Sequence, residues 1–163
     1  IILLVLGTAA WAGISAAPYV PSRMSDVRRI IALAEIQPGQ RVVDCGSGDG
    51  RVVLSAAAAG AIAVGYEVSF VPWLISVLRG WKSPYRSRVK FYWKSFYGAD
   101  LSSYDVVFAF LLPAGLKKLG TQLDRQKKAG RRILSFAWEV KGWTPDKKDK
   151  PDPSVLALWR YRQ

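Results

Sequence analysis

The segment RVVDCGSGDGRVV, residues 41–53, places three glycines within five positions between two valine-rich runs. The first apolar run predicts a buried strand, and the second begins an alanine-rich, helix-like stretch. Gly46, Gly48 and Gly50 allow a sharp turn between them and let backbone N–H groups come close to a ligand. Ligands of open α/β sheets bind beyond the carboxyl ends of the strands. The segment therefore predicts an α/β fold with a ligand-binding turn after an early strand.

Strand-like and helix-like patterns alternate along the rest of the chain. The further strand patterns are AIAVGYEV (61–68), RVKFYWKS (88–95), YDVVFAFLL (104–112) and RRILSFAWEV (131–140). Helical patterns separate most of these strands, and such alternation predicts a doubly wound, mostly parallel sheet of the Rossmann-like α/β class. The polar segment 145–153 is predicted to be a turn. The alternating segment 154–163 is predicted to add an antiparallel strand at the sheet edge.

Composition excludes several kinds of site. The chain of 163 residues has no histidine and one cysteine, which rules out Ser-His-Asp triads, zinc clusters and an internal disulfide, so no metal site is predicted. Its 24 Lys and Arg residues against 12 Asp and Glu give a net charge of +12. That charge favours an acidic partner such as nucleic acid, anionic lipid or an acidic protein face.

The first 17 residues, IILLVLGTAAWAGISAA, carry no charge. As a helix they would span roughly 25 Å. Three hypotheses fit them: a membrane anchor, a signal-peptide core with small residues for cleavage at 15–17, or a helix buried in protein. We expect a hydrophobic anchor over 1–17, a linker over 18–24 and a catalytic domain over 25–163. If the segment spans a bilayer, the arginines that follow it place the domain on the cytoplasm-like side: Arg23, Arg28 and Arg29.

The glycine spacing separates two classes of cofactor. A dinucleotide fingerprint, G-x-G-x-x-G, would require glycine at position 51, where the chain has Arg51. The pattern present is Asp44-x-Gly46-x-Gly48-x-Gly50, which resembles motif I of the class I S-adenosylmethionine-dependent methyltransferases. The resemblance implies S-adenosyl-L-methionine as cofactor, with the acidic residue near its methionine end and the glycine turn beneath it.

A second carboxylate supports a nucleoside cofactor. Glu67 ends the second predicted strand, where an acidic residue can accept both hydrogen bonds of a ribose diol, as it also does in dinucleotide folds. In the resembled class, residues after the third strand border the adenine, which here are Ser95 and Phe96. Phe96 could stack on adenine or fill the core, and serine departs from the acid or amide common at position 95. The predicted cofactor-binding residues are Asp44, Cys45, Gly46, Ser47, Gly48, Gly50, Glu67, Val68, Ser95 and Phe96.

A narrower resemblance rests on several short pieces in order: PYVPS, VVDCGSGDGRVV, GYE, ADLSSYDVV, LLP and GW. Over most of residues 18–145 the chain is similar to the small, membrane-anchored protein-lysine methyltransferases best known from mitochondria, and to their prokaryotic relatives. Those enzymes modify the ATP synthase c subunit and the adenine nucleotide translocase. The resemblance implies a protein substrate, plausibly a small membrane protein. It also implies membrane association through the N-terminal segment, with the domain on the cytoplasmic or mitochondrial matrix side.

Methyl transfer to lysine needs an aligned, deprotonated amine, which an apolar or electropositive site favours by lowering the lysine pKa. The candidate residues on the substrate side are Tyr19, Leu112, Pro113, Trp138 and Glu139. Pro113 also suits the first turn of a helix. No general base is assigned.

Two basic clusters lie at 79–90, where Trp and Tyr are interleaved with the cations, and at 124–132. They suit an anionic membrane surface better than nucleic acid, because no RNA-binding module accompanies them. Two alternatives stay open: a nucleic-acid or small-molecule methyltransferase on the same fold, and a binding module without turnover.

Overall fold

A computed structural model of the chain describes residues 20–163. The expected hydrophobic helix over 1–17 and the candidate residue Tyr19 lie outside the described residues. From Val20 onward, every helix is too short or too polar to cross a lipid bilayer.

The described residues form helices and strands in alternation. The helices are α1 (Met24–Ala34), α2 (Arg51–Ala58), α3 (Phe70–Lys82) and α4 (Pro113–Arg125). The strands are β1 (Arg41–Cys45), β2 (Ile62–Glu67), β3 (Val89–Trp93), β4 (Val106–Ala109), β5 (Arg132–Phe136), β6 (Lys147–Asp149) and β7 (Leu158–Arg162). They make one sheet in the order β3-β2-β1-β4-β5-β7-β6. The first five pair in parallel, and β7 runs antiparallel to both β5 and β6. The predicted doubly wound, mostly parallel α/β sheet is confirmed.

The sheet edge differs from the prediction. The last strand, β7, lies between β5 and β6 rather than at the edge, and the edge strand β6 comes from the segment 145–153 that was predicted to be only a turn. Its sequence, Lys-Lys-Asp, has no apolar alternation, because an edge strand exposed to water has no apolar face to bury. Charge pairs next to β6 hold it instead. Asp146 pairs with the buried Arg160 of β7 (2.7 Å), and Asp149 pairs with Arg29 of α1 (2.7 Å).

The core occupies both faces of the sheet, and β1 shows why. Its neighbours along the strand point in opposite directions, so Val42 packs with α1 and α2 whereas Val43 packs with α4. Both valines are almost completely buried. Because β1 is buried on both faces, its apolar residues form an unbroken run, which is typical of a central parallel strand.

Gly65 of β2, a glycine outside the turn, allows the close packing beneath the glycine turn. A Cβ at Gly65 would lie 2.5 Å from Ser47 Oγ and 2.9 Å from a ring carbon of Phe91. These distances are far below van der Waals contact. The absence of a side chain at position 65 therefore lets the turn rest directly on β2.

Gly65→Ala should destabilise the protein by about 1–3 kcal/mol, because the added methyl group overpacks the contact with Ser47. Gly120→Ala is the matched control: it lies inside α4, and its Cβ would meet its nearest neighbour, Val140, at an ordinary 3.6 Å. That control should be neutral or stabilising by up to about 1 kcal/mol, since alanine favours a helix. Urea denaturation of both variants measures the difference, and equal stabilities would contradict the packing argument.

Candidate functional site

A cavity of about 320 Å³ opens at the carboxyl ends of the parallel strands. Its walls come from the ends of β1, β2, β4 and β5, from the residues after β3, and from residues 20–22 before α1. Nine residues predicted from the sequence line it: Asp44, Gly46, Ser47, Glu67, Val68, Ser95, Phe96, Leu112 and Trp138. Residues as distant in sequence as Asp44 and Trp138 therefore meet at one place, where ligands of α/β sheets bind.

The glycine turn forms one wall, and β2 holds it in place. The N–H groups of Gly46 and Ser47 both donate to the carbonyl of Tyr66, at 3.0 and 2.9 Å. Gly46, Gly48 and Gly50 have φ of +111°, +53° and +81°. Residues other than glycine rarely adopt these backbone angles. The three glycines are thus required by the path of the turn, which brings its backbone to the cavity wall.

Glu67, at the end of β2, is buried and its carboxylate is oriented by the backbone. Oε2 accepts a hydrogen bond from the N–H of Gly48 (2.9 Å), and Oε1 accepts one from the N–H of Ser69 (2.7 Å). Each carboxylate oxygen can accept a second hydrogen bond. Glu67 therefore stabilises the turn and can still accept donors from a ligand in the cavity.

Two buried polar atoms in the cavity wall, Asp44 Oδ1 and Ser47 Oγ, have no hydrogen-bond partner within residues 20–163. Burial raises the pKa of Asp44 well above its usual range, and the nearby carboxylates of Glu67 and Asp49 raise it further. Buried polar groups are normally paired, because leaving one unpaired costs free energy. These atoms suit a ligand that brings a cationic group and hydrogen-bond donors, as the methionine end of S-adenosylmethionine would.

Asp49, also in the wall, is already neutralised by protein cations. It pairs with Arg51 and with Arg79 of α3, each at 2.5 Å. Burial alone would raise the pKa of Asp49, but the hydrogen bonds and charges of the two arginines outweigh it and lower the pKa. Arg51 also donates to the carbonyl of Ser22. These contacts thus connect residues 20–22, the glycine turn and α3, and they leave Asp44 as the carboxylate with a raised pKa.

The part of the cavity that comes from β4, from the residues after β4 and β5, and from the connection between β6 and β7 is apolar, and it is here called the apolar side. It is lined by Phe108, Phe110, Leu111, Leu112, Ala137, Trp138 and Leu156. Leu112, Trp138 and Leu156 are also exposed, which places them at the mouth. Ala137 has a left-handed φ of +70°, uncommon for alanine, and this turn after β5 brings Trp138 to the cavity. The side therefore offers an apolar channel for a second reactant.

Tyrosines near the cavity are held in the neutral form. Burial raises the pKa of Tyr97 to about 12, and burial with the neighbouring Tyr104 raises that of Tyr66. Tyr66 and Tyr97 both line the cavity. A tyrosine whose pKa is raised holds its proton at neutral pH, so neither is set up as a general base.

Five residues predicted for the site do not line the cavity. Cys45 is buried in the core, and Gly48 contributes its N–H to Glu67. Gly50 precedes α2 against Phe91, Pro113 begins α4, and Glu139 is exposed. Their predicted ligand contacts stay predictions, with an indirect role for Gly48 and Gly50 in shaping the turn.

Sequence reasoning missed most of the apolar side and the pairing of Asp49. Phe108 and Phe110 could have been found, because they lie at the end of a buried strand. Leu156 comes from the connection between β6 and β7, and no pattern in the sequence connects it to the site.

Comparisons with known proteins agree with this arrangement. The family model described as the ANTKMT methyltransferase domain matches residues 44–147. The lysine N-methyltransferase of the ATP synthase c subunit from Rattus norvegicus is 34% identical over 146 residues, which cover 88% of this chain and 65% of the rat protein. A protein-lysine N-methyltransferase of Saccharolobus islandicus (strain REY15A) is 32% identical over 130 residues, covering 78% of this chain and 81% of that protein.

A solved structure extends the comparison to the fold. An RNA methyltransferase from Salinibacter ruber, in complex with S-adenosyl-L-homocysteine, superposes with a TM-score of 0.82 at 28% identity, covering 88% of this chain and 93% of that one. The chain spans a little under two thirds of the length of the rat relative. The match of family and fold over most of the chain confirms the resemblance inferred from motif I, and the chain belongs to the ANTKMT methyltransferase domain family.

Proposed function

We propose that this chain is an S-adenosylmethionine-dependent methyltransferase that modifies a lysine side chain of a protein. One observation carries the proposal: a single cavity combines a wall of buried carboxylates with a wall of apolar side chains. The first wall suits a cationic nucleoside cofactor, and the second suits an amine that must lose its proton before it reacts.

On the cofactor side, Asp44 would accept hydrogen bonds from the ammonium group of the methionine moiety, and Glu67 would accept those of the ribose hydroxyls. Ser47 Oγ offers a further polar contact, while Val68, Ser95 and Phe96 would border the base. The bound cofactor supplies a methyl group on a sulfonium. When the methyl group is transferred, the neutral thioether is a good leaving group, and this step needs no metal.

On the acceptor side, Leu112 and Trp138 border the mouth through which a lysine would enter. An apolar channel disfavours the charged ammonium form and lowers the lysine pKa, which yields the neutral amine needed for attack. These residues would align the amine with the methyl group and exclude water from it, and no general base is required. We propose lysine because the rat and Saccharolobus relatives are named lysine methyltransferases.

A second candidate is methyl transfer to RNA. It is favoured by the similarity to the Salinibacter RNA methyltransferase and by the net charge of +12. The same cofactor cavity would serve either acceptor. Identification of the methylated product therefore has to decide between lysine and RNA as the acceptor.

We further propose that residues 1–17 anchor the domain to a membrane, with residues 25–163 on the cytoplasmic or mitochondrial matrix side. The length and neutrality of the segment and the arginines after it support this arrangement. An anchored enzyme would meet a small membrane protein as substrate at high local concentration.

Binding of S-adenosylmethionine should release a proton from Asp44. The raised pKa of Asp44 means that its carboxyl keeps a proton to higher pH than an ordinary aspartate does, and a cationic ligand beside the carboxylate lowers that pKa. Affinity should therefore fall as the pH is lowered. Calorimetric titration in buffers of different ionisation enthalpy measures the protons released.

Two matched variants separate this effect from a general loss of binding. Asp44→Asn should bind about tenfold to a hundredfold more weakly and release no proton. Glu67→Gln should also bind more weakly and should release less of the proton without abolishing the release, because it removes one charge that raises the pKa of Asp44 and leaves burial, the largest cause, in place. Proton release that persists in Asp44→Asn would assign it to another group, and a wild-type chain that does not bind would remove the premise of the proposed function.

Methyl transfer into host material should identify the acceptor. Incubation of the enzyme with tritiated S-adenosylmethionine and host membranes should label a band that survives nuclease, is lost to protease, and gives methyl-lysine on acid hydrolysis. Label removed by nuclease would establish the RNA alternative instead. Asp44→Asn, at a cofactor concentration that saturates only the wild-type chain, serves as the control with reduced labelling.

Deletion of residues 1–17 should move the enzyme from the membrane pellet to the supernatant, because the uncharged segment would no longer partition into lipid. Fractionation at high salt removes binding that depends on surface charge alone. An unchanged distribution in high salt would contradict the anchor.

A further inference from the structure

Helix α3 is packed the opposite way from most helices of an α/β fold. It turns its small residues, Pro72, Ser76 and Gly80, toward the sheet, where they are buried. A Cβ at Gly80 would lie 2.8 Å from the ring of Phe91 in β3, so only a residue without a side chain fits there. Phe70 and Trp73 pack against Trp93 of β3, and five other large apolar residues of the helix lie on its other side.

Those large residues form one continuous exposed face, here called the α3 face: Val71 (44% exposed), Leu74 (38%), Ile75 (37%), Leu78 (50%) and Trp81 (70%). At about 3.6 residues per turn the five positions fall within an arc of about 120°. Exposed apolar faces of this kind mark interaction sites in soluble proteins. Helix α3 therefore has an apolar face that the rest of residues 20–163 leaves largely uncovered.

The charge around the α3 face has a single sign. Between Glu67 and Asp100 the chain has no carboxylate and six cationic residues. Four of them lie in α3 or between α3 and β3, and all four are exposed: Arg79, Lys82, Arg86 and Arg88. Lys90 and Lys94 lie on the other face of the sheet, where each is over the ring of Tyr92. Within the described residues Lys82, Arg86 and Arg88 are free of ion pairs, whereas Arg79 pairs with Asp49. An apolar helical face bordered by unopposed cations fits a surface that is apolar inside and anionic outside.

We propose that the α3 face docks onto an anionic lipid bilayer, with its apolar side chains at the level of the acyl chains and Lys82, Arg86 and Arg88 among the headgroups. Helices with this distribution lie in the plane of the membrane interface, and each nearby cation adds to the attraction. Trp81 is of the residue type that is enriched at that level. This surface is distinct from residues 1–17 and goes beyond the proposed function.

Charge disfavours the other occupants. A second copy would bring two sets of these unpaired cations together. The uncharged segment 1–17 would cover the apolar side chains and leave the cations unmatched. Nucleic acid would match the cations, but four of the five side chains on the face are aliphatic and offer no ring for base stacking.

Docking would also orient the active site. Ser69 lines the cavity and is the residue immediately before α3, so the helix and the cavity wall are continuous in the chain. Trp93, whose indole N–H donates to the carbonyl of Val68 (2.9 Å), connects the same wall to β3. The bilayer would then set the position of the cavity, as an enzyme acting on a membrane protein requires.

The test places a nitroxide label on the face of the full-length chain. Leu78→Cys provides the site, because the native Cys45 is buried and does not compete for the label. Ile62→Cys, equally exposed at 49% but on β2, is the matched control. Collision of the label with oxygen and with a water-soluble nickel complex reports its depth in phosphatidylglycerol–phosphatidylcholine vesicles. This readout is independent of whether residues 1–17 hold the protein on the vesicle.

The label at position 78 should become accessible to oxygen and protected from nickel in anionic vesicles, and the label at position 62 should not change. Lys82→Glu with Arg86→Glu should lower the equilibrium constant for docking by about 30-fold or more, since each cation near the surface contributes about a factor of five. Arg125→Glu with Lys127→Glu makes the same change in net charge on and just after α4 and should leave docking intact. If Leu78→Cys fails to fold, Ile75→Cys gives the same readout.

Four results would overturn the proposal. The first is a vesicle-bound protein whose label at position 78 stays accessible to nickel. The second is protection from nickel without vesicles that depends on protein concentration, which indicates a second copy on the face. The third is protection without vesicles that does not depend on concentration, which indicates that residues 1–17 cover the face. The fourth is protection by an RNA oligonucleotide but not by vesicles. None of these measurements involves methyl transfer, so their failure and that of the proposed function are distinguishable.

Discussion

The hydrogen bonds between the glycine turn and the end of β2 are the contacts on which the site depends. The parallel register sets Cys45 opposite Tyr66, so the turn that follows β1 lies beside the carbonyl of Tyr66 and the carboxylate of Glu67. That register is possible at this distance because Gly65 leaves room for Ser47. Loss of this contact would separate the glycine turn from Glu67, and the carboxylate wall of the cavity would no longer be formed.

The same contact concentrates negative charge in a strongly basic protein. Asp44, Asp49 and Glu67 lie close together in the cavity wall, and each is treated differently by its neighbours. Asp49 is paired with arginines, and Glu67 accepts two backbone N–H groups. Asp44 is left with an unpaired oxygen and a raised pKa within the described chain. One carboxylate is thus kept for a cationic ligand while its neighbours maintain the architecture.

Sequence patterns predicted the parallel part of the fold because its strands are buried on both faces and its helices are amphipathic. The outer part was harder to predict. Strand β6 is charged and held by ion pairs with Arg29 and Arg160, which are distant in sequence, so no local periodicity marked it. The apolar side of the cavity had the same difficulty: Leu156 reaches the site from a connection between edge strands.

The sequence by itself determined the glycine turn, the acidic residues at the ends of two of the strands, and the family, because each rests on a short run of residues with a local backbone requirement. Only the tertiary structure decided which carboxylate stays unpaired, which side chains complete the apolar channel, and that α3 leaves its large residues exposed. These outcomes depend on strand register and on which small residues face the sheet. They arise from contacts between segments far apart in the chain, which local sequence patterns do not encode.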